Sequence, residues 1–330
     1  MSVLLVHPRL AGDPFADPVL YLDFRFGRRA LLFDIGDLAP LSPREIARVT
    51  QVFVSHMHMD HFAAFDRLLR LSLYRDARVD LVGPPGLADA VESKLRAYTW
   101  NLLDAESRDF SLSASDWAEG GFMHASLFRA RDAFRRQEIA PPSLNGMALM
   151  DDPEFTIEAA VLDHGVPSLA FTFQEKTRVN VHKARLDALG LPVGPWLTEA
   201  KRSVRRGDLS RRLSPADGRQ VTIRDLLEAG ALRTGAGQRI VYATDLAFTE
   251  LNTKRLVALA HGADRLYIEA GFLEEDRLLA ASKKHLTAAQ AGSIARLAGV
   301  AEAFPMHFSP RYADRADELR AEFASAMAGG

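Results

Sequence analysis

The six residues His56-Met57-His58-Met59-Asp60-His61 constrain this chain more than any other stretch of it. They follow an apolar, β-rich run, Val49 to Val54, and precede Phe62, Phe65, Leu69 and Leu73, whose spacing is helical. The motif therefore sits at a strand-to-helix junction, where α/β proteins place their chemistry. If the chain stays extended through it, the two-residue period of a strand puts His56, His58 and Asp60 on one side. Neutral imidazoles with a carboxylate suit zinc and related ions, so four such groups within six residues can serve one metal or two. A polar loop of solvated or capping histidines is the competing reading, and the density of the cluster argues against it.

Any metal must be held by His and carboxylate groups, because the chain contains no cysteine. The same absence removes disulfides and a thiolate nucleophile. A chain of 330 residues can bury a large core, and 48% hydrophobic with 25% charged residues is ordinary for a soluble globular protein. With 41 basic against 43 acidic residues the net charge is -2, so contact with a polyanion has to come from a local patch. The apolar run at the start is too short for a signal peptide and no membrane span is present, so the cytoplasm is the expected compartment.

Tyr21 to Phe26 and Arg29 to Asp34 read as two strands of a hairpin, and Ser42-Pro43-Arg44-Glu45 opens a short helix with Ser as its N-cap. Val79 to Gly86 is a strand ended by a Gly/Pro turn, followed by a helix from Leu87 to Tyr98. Between Ser107 and Asn145 the pattern is weak, and the basic cluster of Arg129, Arg131, Arg135 and Arg136 reads as a solvated face. Phe155 to Leu162 is a strand that delivers Asp163-His164, with Ser168 to Gln174 as its hairpin partner. Residues 176–238 lose the strand rhythm and carry Lys201, Arg202, Arg205, Arg206, Arg211 and Arg212, which marks an inserted arm.

Three later strands end in chemistry-bearing residues: Arg239 to Asp245, Arg265 to Glu269 and Ala303 to His307. Thr287 and Gln290 have capping-box spacing, so His285 stands just before a helix that runs to about Ala298. The collected candidates are His56, His58, Asp60, His61, His164, Asp245, Glu269, His285 and His307. Two metals with separate histidine sets need an anion between them, and Asp245 suits that bridge. Paired metals hold a hydroxide nucleophile and clamp both oxygens of an in-line displacement, which favours a phosphodiester. His7, His124, His182 and His261 have no motif around them and are assigned to surface or packing.

The His-x-His-x-Asp-His pattern at 56–61 resembles the signature of the metallo-β-lactamase fold superfamily. Within it, His285-Leu286-Thr287-Ala288-Ala289-Gln290 and His307-Phe308-Ser309-Pro310-Arg311-Tyr312 are similar to the C-terminal motifs of the ribonuclease Z family. Gly190 to Leu197 is similar to the Gly-Pro segment of that family's RNA-gripping arm. The resemblance implies an α/β fold, an αββα four-layer sandwich in one domain over 1–330, with the arm at 176–238. It implies one divalent metal, most readily zinc with manganese as the alternative, on His56, His58 and His164. A second falls on Asp60, His61 and His307, with Asp245 between them. It further implies that Asp60 orients or deprotonates the attacking water and that His285, backed by Glu269, protonates the leaving 3′-oxygen. A tRNA precursor would then leave a 3′-hydroxyl on the tRNA and a 5′-phosphate on the trailer. RNA contacts would come from Ser309, Arg311, Tyr312, Gly194, Pro195, Arg205 and Arg206, and the assembly would be a homodimer.

Two features depart from the family pattern. The N-terminus offers His7-Pro8-Arg9-Leu10-Ala11-Gly12 in place of a Gly-Thr-rich turn, and in the histidine motif Met59, and Ala63, Ala64 or Phe65 after its last His, stand where Gly is usual. The competing enzyme reading is a hydrolase using the same centre on a small phosphodiester, lactone or thioester. A binding protein without catalysis is the third, and the complete set of candidate residues speaks against it.

Overall fold

The computed structural model describes residues 4–25, 27–144, 146–215 and 218–329; Phe26, expected at the end of a strand, lies outside them. The first sheet holds eight strands in unbroken chain order: β1 (Val6–Leu10), β2 (Leu20–Phe24), β3 (Ala30–Phe33), β4 (Val49–Phe53), β5 (Ala77–Gly83), β6 (Phe110–Ala118), β7 (Gly121–Arg129) and β8 (Arg136–Glu138). Strands β3 to β6 run parallel, and the flanking pairs are antiparallel. β9 (Ala148–Asp151), β10 (Phe155–Asp163) and β11 (Pro167–Glu175) open a second sheet.

Residues 176–238 then leave that sheet. They hold β12 (Arg178–Val181), a ribbon of β13 (Arg212–Leu213) and β14 (Val221–Thr222), and β15 (Leu232–Gly235), which pairs back onto β12. β16 (Arg239–Ala243), β17 (Arg265–Glu269) and β18 (Glu302–Met306) complete the second sheet in the order β18-β17-β16-β11-β10-β9. β16, β17 and β18 are parallel to one another.

Helices α1 (Pro43–Ile46), α2 (Met59–Phe62), α3 (Phe65–Ser72) and α4 (Leu87–Arg96) belong to the first half, and α5 (Lys183–Ala188), α6 (Trp196–Arg205) and α7 (Ile223–Glu228) to the insertion. α8 (Glu250–Ala260), α9 (Arg277–Lys283), α10 (Ala288–Ala298) and α11 (Ala316–Ala328) follow. The expected caps are present: Ser42 and Glu45 form a capping box at α1, and Thr287 and Gln290 form one at α10.

Strands buried on both faces explain why the apolar runs are continuous. Along β3, Leu31 and Phe33 face the opposite sheet, while Ala30 and Leu32 face the helices. Along β16, Ile240 and Tyr242 point between the sheets, while Val241 and Ala243 point at the helices beyond. Phe33 stacks on Phe171 at 5.2 Å and Phe155 on Phe173 at 4.9 Å, joining the sheets through rings that each add about 0.5–1.5 kcal/mol beyond burial. The outer layers close with Ile46, Phe65, Leu68 and Val91 on one side and Leu256, Ile294, Leu319 and Phe323 on the other. The architecture is the αββα four-layer sandwich.

Two sequence-based expectations need correction. The weak stretch from 107 to 145 contains β6 and β7, and Phe110-Ser111-Leu112-Ser113-Ala114-Ser115 does alternate with the two-residue period of a strand. Its serines sit inside the sheet because they find partners, as Ser113 Oγ does in Asp80. The arginine cluster there is engaged: Arg129 pairs with Asp109 at 2.7 Å, and Arg136 with Asp89 and Glu92. The insertion is also not without strands, and it has its own apolar cluster around Leu186, Leu197, Val204, Ile223 and Leu226.

Candidate metal centre

The strand leading into the histidine motif ends at Phe53, and the chain does not stay extended through the motif. His58, at φ -69° and ψ 153°, is the last extended residue, and Met59 begins α2. Asp60 and His61 therefore ride on a helical turn, which separates them from His56 and His58 and corrects the one-sided strand expectation.

Asp245 lies where the two groups meet. Its Oδ2 is 3.5 Å from His56 Nε2, 3.5 Å from His164 Nε2 and 3.4 Å from His61 Nε2, while Oδ1 is 2.9 Å from His307 Nδ1. One set of potential ligand atoms comprises His56, His58, His164 and Asp245; another comprises Asp60, His61, Asp245 and His307. Within each set the atoms lie within 4.8 Å of one another. His56 Nε2, His61 Nε2 and His307 Nδ1 are buried without a hydrogen-bond partner, although an orphaned buried polar group is costly. Three unsatisfied imidazole nitrogens around one carboxylate are what divalent cations would satisfy, so the residues fit such ions.

The local electrostatics follow from this crowding. Burial, then the neighbouring His61, pushes His56 down to about 2, which keeps it neutral. The hydrogen bond from His307, with His61 3.5 Å away, holds the Asp60 carboxyl far below the usual carboxylate range. Burial opposes charge on His307, yet Asp245 outweighs it and holds that imidazole at about 10.

The other ring nitrogens are anchored. His164 donates from Nδ1 to the Lys284 carbonyl at 2.8 Å, and His285 donates from Nδ1 to Glu269 Oε2 at 2.8 Å. Both rings thus turn Nε2 towards the centre. Glu269 also accepts from the Leu246 amide at 2.6 Å, tying the end of β17 to the residue after Asp245. Burial alone would lower the His285 imidazolium, but Glu269 and then Asp245 reverse this and raise it.

Asp34 was not singled out in the sequence. Wholly buried, it accepts from the Ser55 amide at 2.6 Å, the Ser55 hydroxyl and the Tyr242 hydroxyl at 2.8 Å each, and His61 Nδ1 at 2.9 Å. Its signal was position: like Asp245 and Glu269, it is an acid at the end of a buried strand. Asp34, Asp245 and His307 also share left-handed backbone, at φ 58°, 41° and 56°. Non-glycine residues rarely adopt it; Ala133, Phe134 and Lys284 do so elsewhere among the described residues, and Asp34, Asp245 and His307 face this centre. Gly36 is required by close approach, since a methyl there would overlap the Asp60 carbonyl.

A Beta-lactamase superfamily domain model matches residues 195–308. A ribonuclease Z of Deinococcus radiodurans is 32% identical over 319 residues, covering 94% of this chain and 92% of that protein. The chain belongs to the ribonuclease Z family. A ribonuclease Z of Synechocystis is 28% identical, covering 86% of this chain and 74% of that protein. The short form of human tRNase Z shares the fold, with a TM-score of 0.52 at 19% identity over 93% of both chains. So does the metallo-β-lactamase fold protein YhfI of Bacillus subtilis, with a TM-score of 0.52 at 16% identity over 98% of this chain and 91% of that one.

Of the RNA contacts that ribonuclease Z resemblance implied, the structure separates accessible residues from buried ones. Ser309 lines a cavity of about 220 Å³ with Asp60, His285 and His307, and Arg311 is exposed nearby. Tyr312 is buried and its hydroxyl bonds Asp276, so it supports this wall from behind. Pro195 and Arg206 are exposed on the insertion, and Gly194 is half-buried. Arg205 is a correction: its side chain is 2% exposed and pairs with Glu175 at 3.2 Å and Glu154 at 3.8 Å. It fastens the insertion to the second sheet instead of facing a ligand. His7, His124 and His261 are on the surface, and His182 caps α5. Among the described residues, no helix is long and apolar enough to cross a membrane.

Proposed function

We propose that this protein is an endoribonuclease that removes the 3′ trailer from tRNA precursors with two divalent metal ions. The observation that carries the reading is Asp245, shared by two sets of potential ligands, with the Glu269–His285 pair on the same rim. The relatives called ribonuclease Z support the RNA substrate.

His56, His58 and His164 would hold one ion, Asp60, His61 and His307 the other, and Asp245 both. When bound, the pair supplies Lewis-acid stabilisation of the phosphoryl oxygens and a more acidic water. The donor set of nitrogen and oxygen atoms suits zinc, with manganese as the alternative. Asp60, ionised and held by His307 at 3.2 Å, orients the attacking water and takes its proton. His285, oriented by Glu269, which also raises its imidazolium, gives a proton to the leaving 3′-oxygen. A 3′-hydroxyl and a 5′-phosphate result. We place the enzyme in the cytoplasm as a homodimer, in keeping with the family resemblance.

The test is cleavage of a tRNA precursor carrying a 3′ trailer by metal-loaded wild type, Asp60→Ala and His285→Ala. Cutting after the acceptor stem by wild type, abolished by Asp60→Ala and strongly slowed by His285→Ala, is expected. Hydrolysis of bis(p-nitrophenyl) phosphate without RNA cleavage would move the centre to a small phosphodiester.

A further inference from the structure

At the opposite end of β4 from the histidine motif lies a pocket of about 640 Å³ lined by Arg25, Arg28, Arg44, Arg48 and Arg75. Asp23 is the acid among the lining residues, and Arg48 takes it at 2.6 Å. Arg48 also donates to the Phe24 carbonyl, and Arg75 donates to the Ala47 carbonyl, so these two guanidiniums form a fixed floor. Arg25, Arg28 and Arg44 are exposed and, among the described residues, form no salt bridge.

This concentration stands out against a net charge of -2. Most other arginines on the molecule have a carboxylate beside them, as Arg129, Arg136 and Arg315 do. Like charges brought together without counter-charge repel one another, and an external polyanion relieves that repulsion. Guanidinium forks match phosphate oxygens in pairs.

The pocket adjoins the insertion. Lys201 on α6 is buried, and after burial itself Arg205 and then Arg25 lower its ammonium, which puts Arg25 within electrostatic reach of the insertion's base. Arg206 follows on the same helix end and is exposed. Exposed cations thus stand both on the insertion, at Arg206, and beside β2, at Arg25 and Arg28. Eight residue steps of strand and turn lead from Arg48 to His56, a span of about 26 Å at about 3.3 Å each.

We infer that the cradle of Arg25, Arg28 and Arg44 grips the phosphodiester backbone of the RNA substrate at a distance from the scissile bond. The inference rests on the RNA reading above and adds a contact outside both the metal centre and the insertion. Backbone contacts set affinity and register without reading bases, so the cradle governs KM and leaves kcat alone.

The test is the triple variant Arg25→Gln/Arg28→Gln/Arg44→Gln, assayed on the tRNA precursor across a salt series and on bis(p-nitrophenyl) phosphate. The small diester cannot span the two sites and reports that fold and metal centre are intact. Expected are a rise in KM for RNA of about tenfold or more, kcat within about twofold, and a salt slope shallower by about two. Unchanged KM and slope in the variant, with active wild type, overturn the cradle alone. A shift in oligomeric state by light scattering, parallel to the lost affinity, also overturns it by making the patch a subunit contact. A wild type inert on RNA overturns the cradle together with the reading it rests on.

Discussion

His61 Nδ1 donates to Asp34 Oδ2 at 2.9 Å, 27 residues away in the chain, and this fixes which nitrogen of His61 faces Asp245. Asn tolerates left-handed backbone, so Asp34→Asn keeps the backbone conformation while removing the charge and replacing one of the two accepting oxygens with an NH2 donor. Metal affinity should fall by about 10–100-fold, because the ring loses its enforced tautomer. Competition with a chelating dye measures this; wild-type affinity in the variant would dismiss Asp34 as a positioning residue.

Glu269 raises the His285 imidazolium, which burial would otherwise lower. As a proton donor His285 must be charged, so kcat should decline as pH rises through its elevated pKa. Replacing Glu269 with Gln removes the largest raising influence and should draw that alkaline limb to lower pH. His285→Ala should cost about 10²–10⁴ in kcat on RNA and little on bis(p-nitrophenyl) phosphate, whose leaving group needs no proton. Equal losses on both substrates would exclude the proton-donor role.

Without metal, His61 and His307 carry protons at neutral pH, because Asp245 outweighs their burial and holds His307 at about 10. Metal binding must displace them, so zinc uptake at pH 7 should release about two protons. Calorimetry in buffers of differing ionisation enthalpy counts these. A raised folded pKa gives stability that is complete below the ordinary value of 6.5 and fades as pH rises through about 10. The metal-free protein should therefore melt progressively lower over that window, and a flat profile would contradict the assignment.

Arg205→Ala strands Glu175, which is wholly buried, with Arg178 3.9 Å away as its remaining cation. The expected cost is about 3 kcal/mol, accompanied by faster proteolysis within residues 176–238. Thermal melts and a timed digest report both. A variant as stable as wild type would show that the insertion is held by its apolar contacts alone.

Much of the centre could be read in the sequence because ligands at strand ends follow recognisable apolar runs: Asp245, Glu269 and His307 each close one. The turn of Asp60 and His61 onto α2 could not, since a four-residue helix carries no period to detect. Asp34 escaped because a single acid after a strand looks like a turn, and only the fold brings Ser55, His61 and Tyr242 to it. β6 escaped although Phe110 to Ser115 alternate with the two-residue period of a strand. Arg205 was misplaced with the exposed cations because a basic run does not reveal which member turns inward towards Glu175.

The pairing of β12 with β15 sets Val181 opposite Leu232 and Arg178 opposite Gly235. The chain therefore departs from the second sheet and comes back at neighbouring positions, about 5 Å apart. Residues 176–238 hang from that doorway as a cassette with its own small interior. Such a cassette can be lengthened, reshaped or exchanged without disturbing the rim of histidines and acids, so recognition and chemistry in this molecule are free to change at different rates.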